Sequence, residues 1–163
     1  MARVLLVGCG CRGGELAKAL LERGHAVRGT RRDESRFEAI AAAGAEAALA
    51  DPDRLMTLMP HVEGVSVLCW LMGSATGDEE NLHALHGPRL ETLSERLVDT
   101  HVRGVVYEGA GSVDASLLEQ GAAIVSRARD TWNIPVEVVD HDPADHDGWV
   151  DAMAAAVERV LSA

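Results

Sequence analysis

The run Val4-Leu5-Leu6-Val7-Gly8-Cys9-Gly10-Cys11-Arg12-Gly13-Gly14 decides how this chain is read. Four apolar residues break into glycines spaced G-x-G-x-x-G, at Gly8, Gly10 and Gly13. A helical pattern follows from Glu15 to Arg23, closed by Gly24, and His25 to Thr30 reads as a second strand. The spacing alone is weak evidence. Set between a strand and a helix, with a second strand at this distance, it is the dinucleotide-binding fingerprint. Gly8 permits a tight exit from the strand, and Gly10 lets backbone approach a pyrophosphate with no Cβ in the way. Gly13 allows close packing of helix on sheet, and a helix beginning near Gly13 aims free N–H groups and its positive end at the anion. Cys11 and Arg12 complete the predicted loop.

Outward from that stretch, strands and helices alternate. Strands are expected at 46–49, 64–70, 104–108 and 134–139, and helices at about 33–43, 51–59, 81–86, 88–100, 115–132 and 145–161. Such alternation predicts a parallel, doubly wound α/β sheet of Rossmann type, about six strands in order 3-2-1-4-5-6. At 163 residues the chain makes one domain, 1–163, and we expect no separate substrate domain. Apolar residues are 47% and aromatics 3%, which suits a buried parallel sheet built on Ala, Val and Leu.

The formal net charge of −11 argues against nucleic acid or an anionic membrane as partner. No run has the length of a membrane span and no signal-peptide pattern opens the chain, so a cytoplasmic location is expected. Three cysteines make no disulfide framework. Cys9 and Cys11 read as small residues filling a crowded turn, with a redox pair as the alternative. A lone nucleotide fold leaves an open side, and a homo-oligomer, most simply a dimer, is expected.

The cofactor is read from the end of the second strand. An acid there holds a ribose 2′-OH; here Thr30 is followed by Arg31 and Arg32. Two guanidinium groups suit a 2′-phosphate, so NADP is expected over NAD, although Asp33 could turn back to a 2′-OH if it did not cap a helix.

These residues resemble the N-terminal half of the extended and atypical short-chain dehydrogenase/reductases, the epimerase-like and NmrA-like proteins. The likeness rests on positions 4–10 and 23–32, and more loosely on Ala50-Asp51, Gly64 to Trp70 and Gly104 to Val113. The resemblance implies Asp51 near the adenine edge and Trp70, Leu71 and Met72 near the ribose and nicotinamide. It also implies a Tyr-x-x-x-Lys pair on the helix after strand five, which this chain cannot make. Gln120 and Ile124 stand at those positions, the single lysine is Lys18, and the single tyrosine is Tyr107, inside strand five. The family's serines after that strand are replaced by Gly109-Ala110-Gly111, with Ser112 late.

Other candidates for chemistry are bland. His83 and His86, three apart, read as surface or packing histidines that nothing orients, with an acid/base pair near the cofactor edge as the alternative. The segment His141 to Asp147 reads as a loop and helix cap, with a divalent-ion cluster as the alternative. Ser74, Thr76 and Ser112 are polar contacts at a pocket edge. The expectation is therefore an NADP-binding protein, an oxidoreductase of non-classical mechanism with a site completed by a partner subunit. The alternative is a non-catalytic sensor or regulatory module.

Overall fold

A computed structural model describes residues 2–163. Six strands, β1 (Arg3–Val7), β2 (Ala26–Arg31), β3 (Glu46–Leu49), β4 (Val67–Trp70), β5 (Gly104–Glu108) and β6 (Val136–Val139), form one sheet. Its order is β3-β2-β1-β4-β5-β6 and every pairing is parallel. The helices are α1 (Cys11–Glu22), α2 (Phe37–Ala42), α3 (Leu55–Leu58), α4 (Glu79–Leu85), α5 (Pro88–Leu97), α6 (Ala115–Trp132) and α7 (His146–Ser162).

Strand alternation divides the core into two layers. Val4 and Leu6 of β1 face α1, α2 and α7, where they meet Leu16, Leu20, Ile40 and Val157. Leu5 and Val7 face the other way, toward Leu58, Leu85, Leu93 and Val125. Both faces of β1 are dry, which explains why this strand reads as a continuous apolar run. Strand order reverses beside β1, since β2 lies on one side and β4 on the other. In such sheets that point opens a crevice at the carboxyl ends.

Several element boundaries differ from the sequence expectation, each for a local reason. The first helix starts at Cys11 rather than near Gly13, because Gly10 already serves as its N-cap. The predicted helix over 33–43 begins as a 3-10 turn, Glu34–Arg36, in which Asp33 Oδ1 accepts the Ser35 N–H at 2.9 Å. Asp33 is thus a cap. The helix expected from Asp51 shrinks to α3, because Asp51 Oδ1 accepts the Asp53 N–H at 2.9 Å in a turn. Pro60 then falls in a second 3-10 turn, Met59–Val62, where its missing N–H denies the α ladder a donor. Strand two runs one residue further than expected and ends on Arg31.

Candidate dinucleotide-binding site

The loop after β1 is built as its glycines require. Gly8 has φ +93°, a left-handed conformation that a side chain resists. A Cβ there would also overlap Met72 Cε and stand 2.8 Å from the Leu71 carbonyl. Thr30, buried at the end of β2, tethers the loop from the side. Its Oγ1 accepts the Gly8 N–H at 3.3 Å and its carbonyl accepts the Cys9 N–H at 2.9 Å. At Gly13 a Cβ would lie 3.3 Å from Cys9 Sγ, so this glycine is what lets α1 settle on the sheet.

No side chain caps α1, and its first amide with an intrahelical acceptor is Gly14, bonded to the Gly10 carbonyl at 2.9 Å. The amides of Cys11, Arg12 and Gly13 are the free donors of a helix N-terminus. Arg12 lines a cleft of about 320 Å³ at the carboxyl ends of β1, β2 and β4, and all three residues line a smaller pocket of about 150 Å³ that shares Gly8, Gly10, Arg12 and Leu71 with it. Gly8, Gly10 and Arg12 from the glycine loop, Thr30, Arg31 and Arg32 from the end of β2 and just beyond, and Leu71 and Met72 from the segment after β4 line the larger cleft. Of the three hydroxyls expected at the pocket edge, Ser74 and Thr76 line it, while Ser112 stands back from the lining and donates its amide to Ser74 Oγ at 3.2 Å.

The two arginines part company. Arg31 crosses the loop, its Nη1 3.5 Å from where a Gly10 Cβ would be. Among the described residues it makes no ion pair, and its buried Nε has no hydrogen-bond partner. Arg32 turns to the surface, with Nε 3.7 Å from Asp51 Oδ1 and Nη2 3.6 Å from Asp53 Oδ2. Arg36, beside Gly10 in the groove between α1 and α2, also has a buried Nε without a partner.

Other expected residues are placed differently. Trp70 is fully buried, because strand alternation turns its side chain into the layer with Leu5 and Val7. Of the 70–72 segment only Leu71 and Met72 line the cleft. Asp51 sits between two cleft residues, Ala50 and Pro52, and its carboxylate is engaged with Arg32 and the Asp53 amide. Cys11 is exposed at the start of α1 and faces neighbouring grooves. Cys9 is buried, and burial pushes its thiol up to about 11 against the pull of Arg31 and Arg36. It fills space beneath the turn; an inaccessible thiol is no partner for Cys11.

Gln120 donates from Nε2 to the His86 carbonyl at 3.0 Å, and Ile124 is buried, so neither faces the cleft as a catalytic pair would. His83 is exposed. In the 141–147 segment Asp145 caps α7 through the Gly148 N–H and accepts from His141 at 2.7 Å. Those two bonds lower the Asp145 pKa, the His141 contact first.

Two buried polar groups escaped the sequence reading. His86 was expected to have nothing orienting it; it is fully buried, with Nδ1 2.6 Å from Tyr107 Oη and Nε2 2.9 Å from the Met72 carbonyl. Glu108, the last residue of β5, has no exposure. Its Oε1 accepts the Gly73 N–H at 2.8 Å and its Oε2 faces the Arg12 guanidinium at 3.5 Å. Burial raises the Glu108 pKa, while Arg12, the Gly73 amide and the Trp149 indole draw it down. An acid closing an otherwise apolar strand was the available signal for Glu108. For His86 the sequence held none.

No protein-family profile matches the chain, and no curated protein matches it in sequence. Solved structures do match in shape. BdcA from E. coli is 15% identical with a TM-score of 0.72, the match covering 94% of this chain and 89% of that one. The Citrobacter sp. triphenylmethane reductase in complex with NADP(H) is 19% identical, TM-score 0.63, covering 85% of this chain and 49% of the reductase. A short-chain dehydrogenase/reductase superfamily protein from Agrobacterium tumefaciens with bound NAD is 16% identical, TM-score 0.68, covering 85% of this chain and 48% of that one. This chain thus spans about half the length of the last two. Together with the strand order, these likenesses show that the chain has the doubly wound Rossmann fold of these three structures.

Proposed function

We propose that the chain binds NADP(H) in the cleft at the carboxyl ends of β1 and β4. The pyrophosphate is assigned to the amides of Cys11, Arg12 and Gly13, and the 2′-phosphate to Arg31, with Arg36 beside it. The observation that carries this reading is Arg31 itself. A cation held over Gly10, free of any ion pair among the described residues and with an unpartnered buried Nε, fits a ligand anion. Arg32 is set aside from this role, since Asp51 and Asp53 already balance its charge. The bound cofactor would supply or accept a hydride. Leu71 and Met72 shield that end of the cleft from water, while Ser74 and Thr76 offer hydroxyls at its rim.

An oxidoreductase whose proton donor is supplied by a second subunit is the leading form of this function. A non-catalytic NADP(H) sensor is the second form, favoured by Gln120 and Ile124 standing where the resemblance implies Tyr and Lys. Titration of the protein with NADPH, followed by nicotinamide fluorescence, tests the common claim. Saturable one-to-one binding is expected, and its absence overturns both forms. Turnover on a panel of carbonyl compounds then separates them. The enzyme consumes NADPH, whereas the sensor consumes none and changes oligomeric state between NADP and NADPH.

A further inference from the structure

Arg12 is shared by the glycine loop and a buried carboxylate. Its backbone amide belongs to the free first turn of α1, and its side chain lines the cleft with Gly8 and Gly10. The guanidinium has three other partners. Nη2 lies 3.5 Å from Glu108 Oε2, Nη1 donates to Ser74 Oγ at 3.4 Å, and Cζ stands 5.2 Å from the centroid of the Trp149 ring. The side chain is 28% exposed, so it borders solvent on the cleft side while Glu108 beneath it does not.

Glu108 depends on that contact. Among the described residues its Oε2 is buried without a hydrogen bond, and Arg12 is the charged group that faces it. The other groups around it are neutral: the Trp149 indole from α7, the Gly73 amide from the loop after β4, and the Tyr107 phenol on its own strand. An ionised carboxylate this deep is costly once its one cation moves away.

Resting on the NADP(H) reading above, we infer that Arg12 exchanges Glu108 for the cofactor pyrophosphate on binding, and that Glu108 takes up a proton in return. One O–H bond forms, on Glu108, and the proton comes from solvent; no electrons move and no other bond changes. Binding is therefore proton-linked. Burial already raises the Glu108 pKa and Arg12 holds it down, so departure of Arg12 raises it further. The bound state then holds more protons than the free state. Affinity increases as pH falls through the interval between the free and bound values, and it is level on either side.

Calorimetry of NADPH binding in two buffers of different ionisation enthalpy, repeated at steps from about pH 5 to about pH 9, counts the protons exchanged. Above about pH 7 the 2′-phosphate, with a second pKa of about 6, is already almost wholly dianionic; below that it releases protons on meeting a cation, the opposite sign, and the Glu108→Gln variant measures that share. Net uptake of up to about one proton per NADPH relative to the variant is expected in the wild type somewhere in that range. The Glu108→Gln variant should take up none, and at the alkaline end it should bind NADPH about tenfold more tightly, because Arg12 no longer has a competing carboxylate. Wild-type binding without proton uptake at any pH in that range overturns the inference and leaves the NADP(H) reading standing. So does a Glu108→Gln variant that binds more weakly than wild type at every pH, the mark of a merely structural glutamate. No binding in either buffer overturns the NADP(H) reading and the inference with it. Above about pH 7 the wild-type proton count stands alone, so a variant that fails to fold leaves the test intact there.

Discussion

Tyr107 Oη lies 2.6 Å from His86 Nδ1, and neither residue reaches solvent. The far nitrogen, Nε2, is 2.9 Å from the Met72 carbonyl, so it carries the hydrogen and leaves Nδ1 to accept from the phenol. The rings meet edge to face, with centroids 5.8 Å apart. Strand β5 is thereby tied, through a residue just past α4, to the backbone of a residue that lines the cleft. Replacing Tyr107 by Phe strips Nδ1 of its donor inside the protein. Chemical denaturation should show a loss of about 1–3 kcal/mol. An unchanged midpoint would mean that the pair is not the tether described.

His86 should also be visible as an abnormal titration. Burial lowers its pKa from the ordinary 6.5, more than the Met72 carbonyl raises it. The folded protein therefore binds fewer protons at this site than the unfolded chain does. The stability it confers is whole above the unfolded value and is lost as pH falls from there toward the folded value. Imidazole NMR shifts give the direct check. One histidine should remain neutral well below pH 6.5, and an His86 titrating at 6.5 or above contradicts the burial.

Gly121, in the middle of α6, faces the same phenol. A Cβ at this position would overlap the Tyr107 hydroxyl and stand 2.5 Å from the ring carbon that bears it. In an exposed helix Gly→Ala gains about 1 kcal/mol. Here the overlap should reverse the sign, and Gly121→Ala should destabilise by about 1–3 kcal/mol through overpacking. A variant more stable than wild type would show that the helix moves away at little cost.

Arg32 should matter little. It is 46% exposed and its two acidic partners lie at 3.6–3.7 Å, a geometry worth at most about 1 kcal/mol in water. Arg32→Ala should shift the thermal midpoint only slightly and leave the preference between NADPH and NADH nearly as it was. A lost preference would move the 2′-phosphate from Arg31 to Arg32.

What could be read from the chain alone follows what is local in its physics. The glycine loop, the strand order and the span of α6 all come from short-range signals: special φ at Gly8, apolar runs four to six residues long, and the Asp114 cap. Asp33 as a cap belongs to the same class. The direction of a side chain at the end of a strand does not. Both arginines line the cleft. Which of them is left without an acidic partner among the described residues depends on β2 running to residue 31, one position beyond its apparent end, and on Asp51 and Asp53 meeting Arg32. The resemblance places Trp70 near the ribose and nicotinamide, yet pleating sends its ring into the buried layer with Leu5 and Val7. Contacts between residues far apart in sequence were illegible altogether. Glu108 meets Arg12, and His86 meets Tyr107, only because the sheet brings separate carboxyl ends together.

The measurement that bears most directly on the central claim is the ratio of NADH to NADPH dissociation constants, in the wild type and in Arg31→Ala. The wild type should prefer NADPH. Loss of the charge-assisted contact to the 2′-phosphate should cost the variant about 1.5–3 kcal/mol for NADPH and little for NADH, bringing the ratio close to one. A wild type that binds NADH as well as NADPH, or an Arg31→Ala variant that keeps the preference, would contradict the assignment of this cleft to NADP(H) through Arg31.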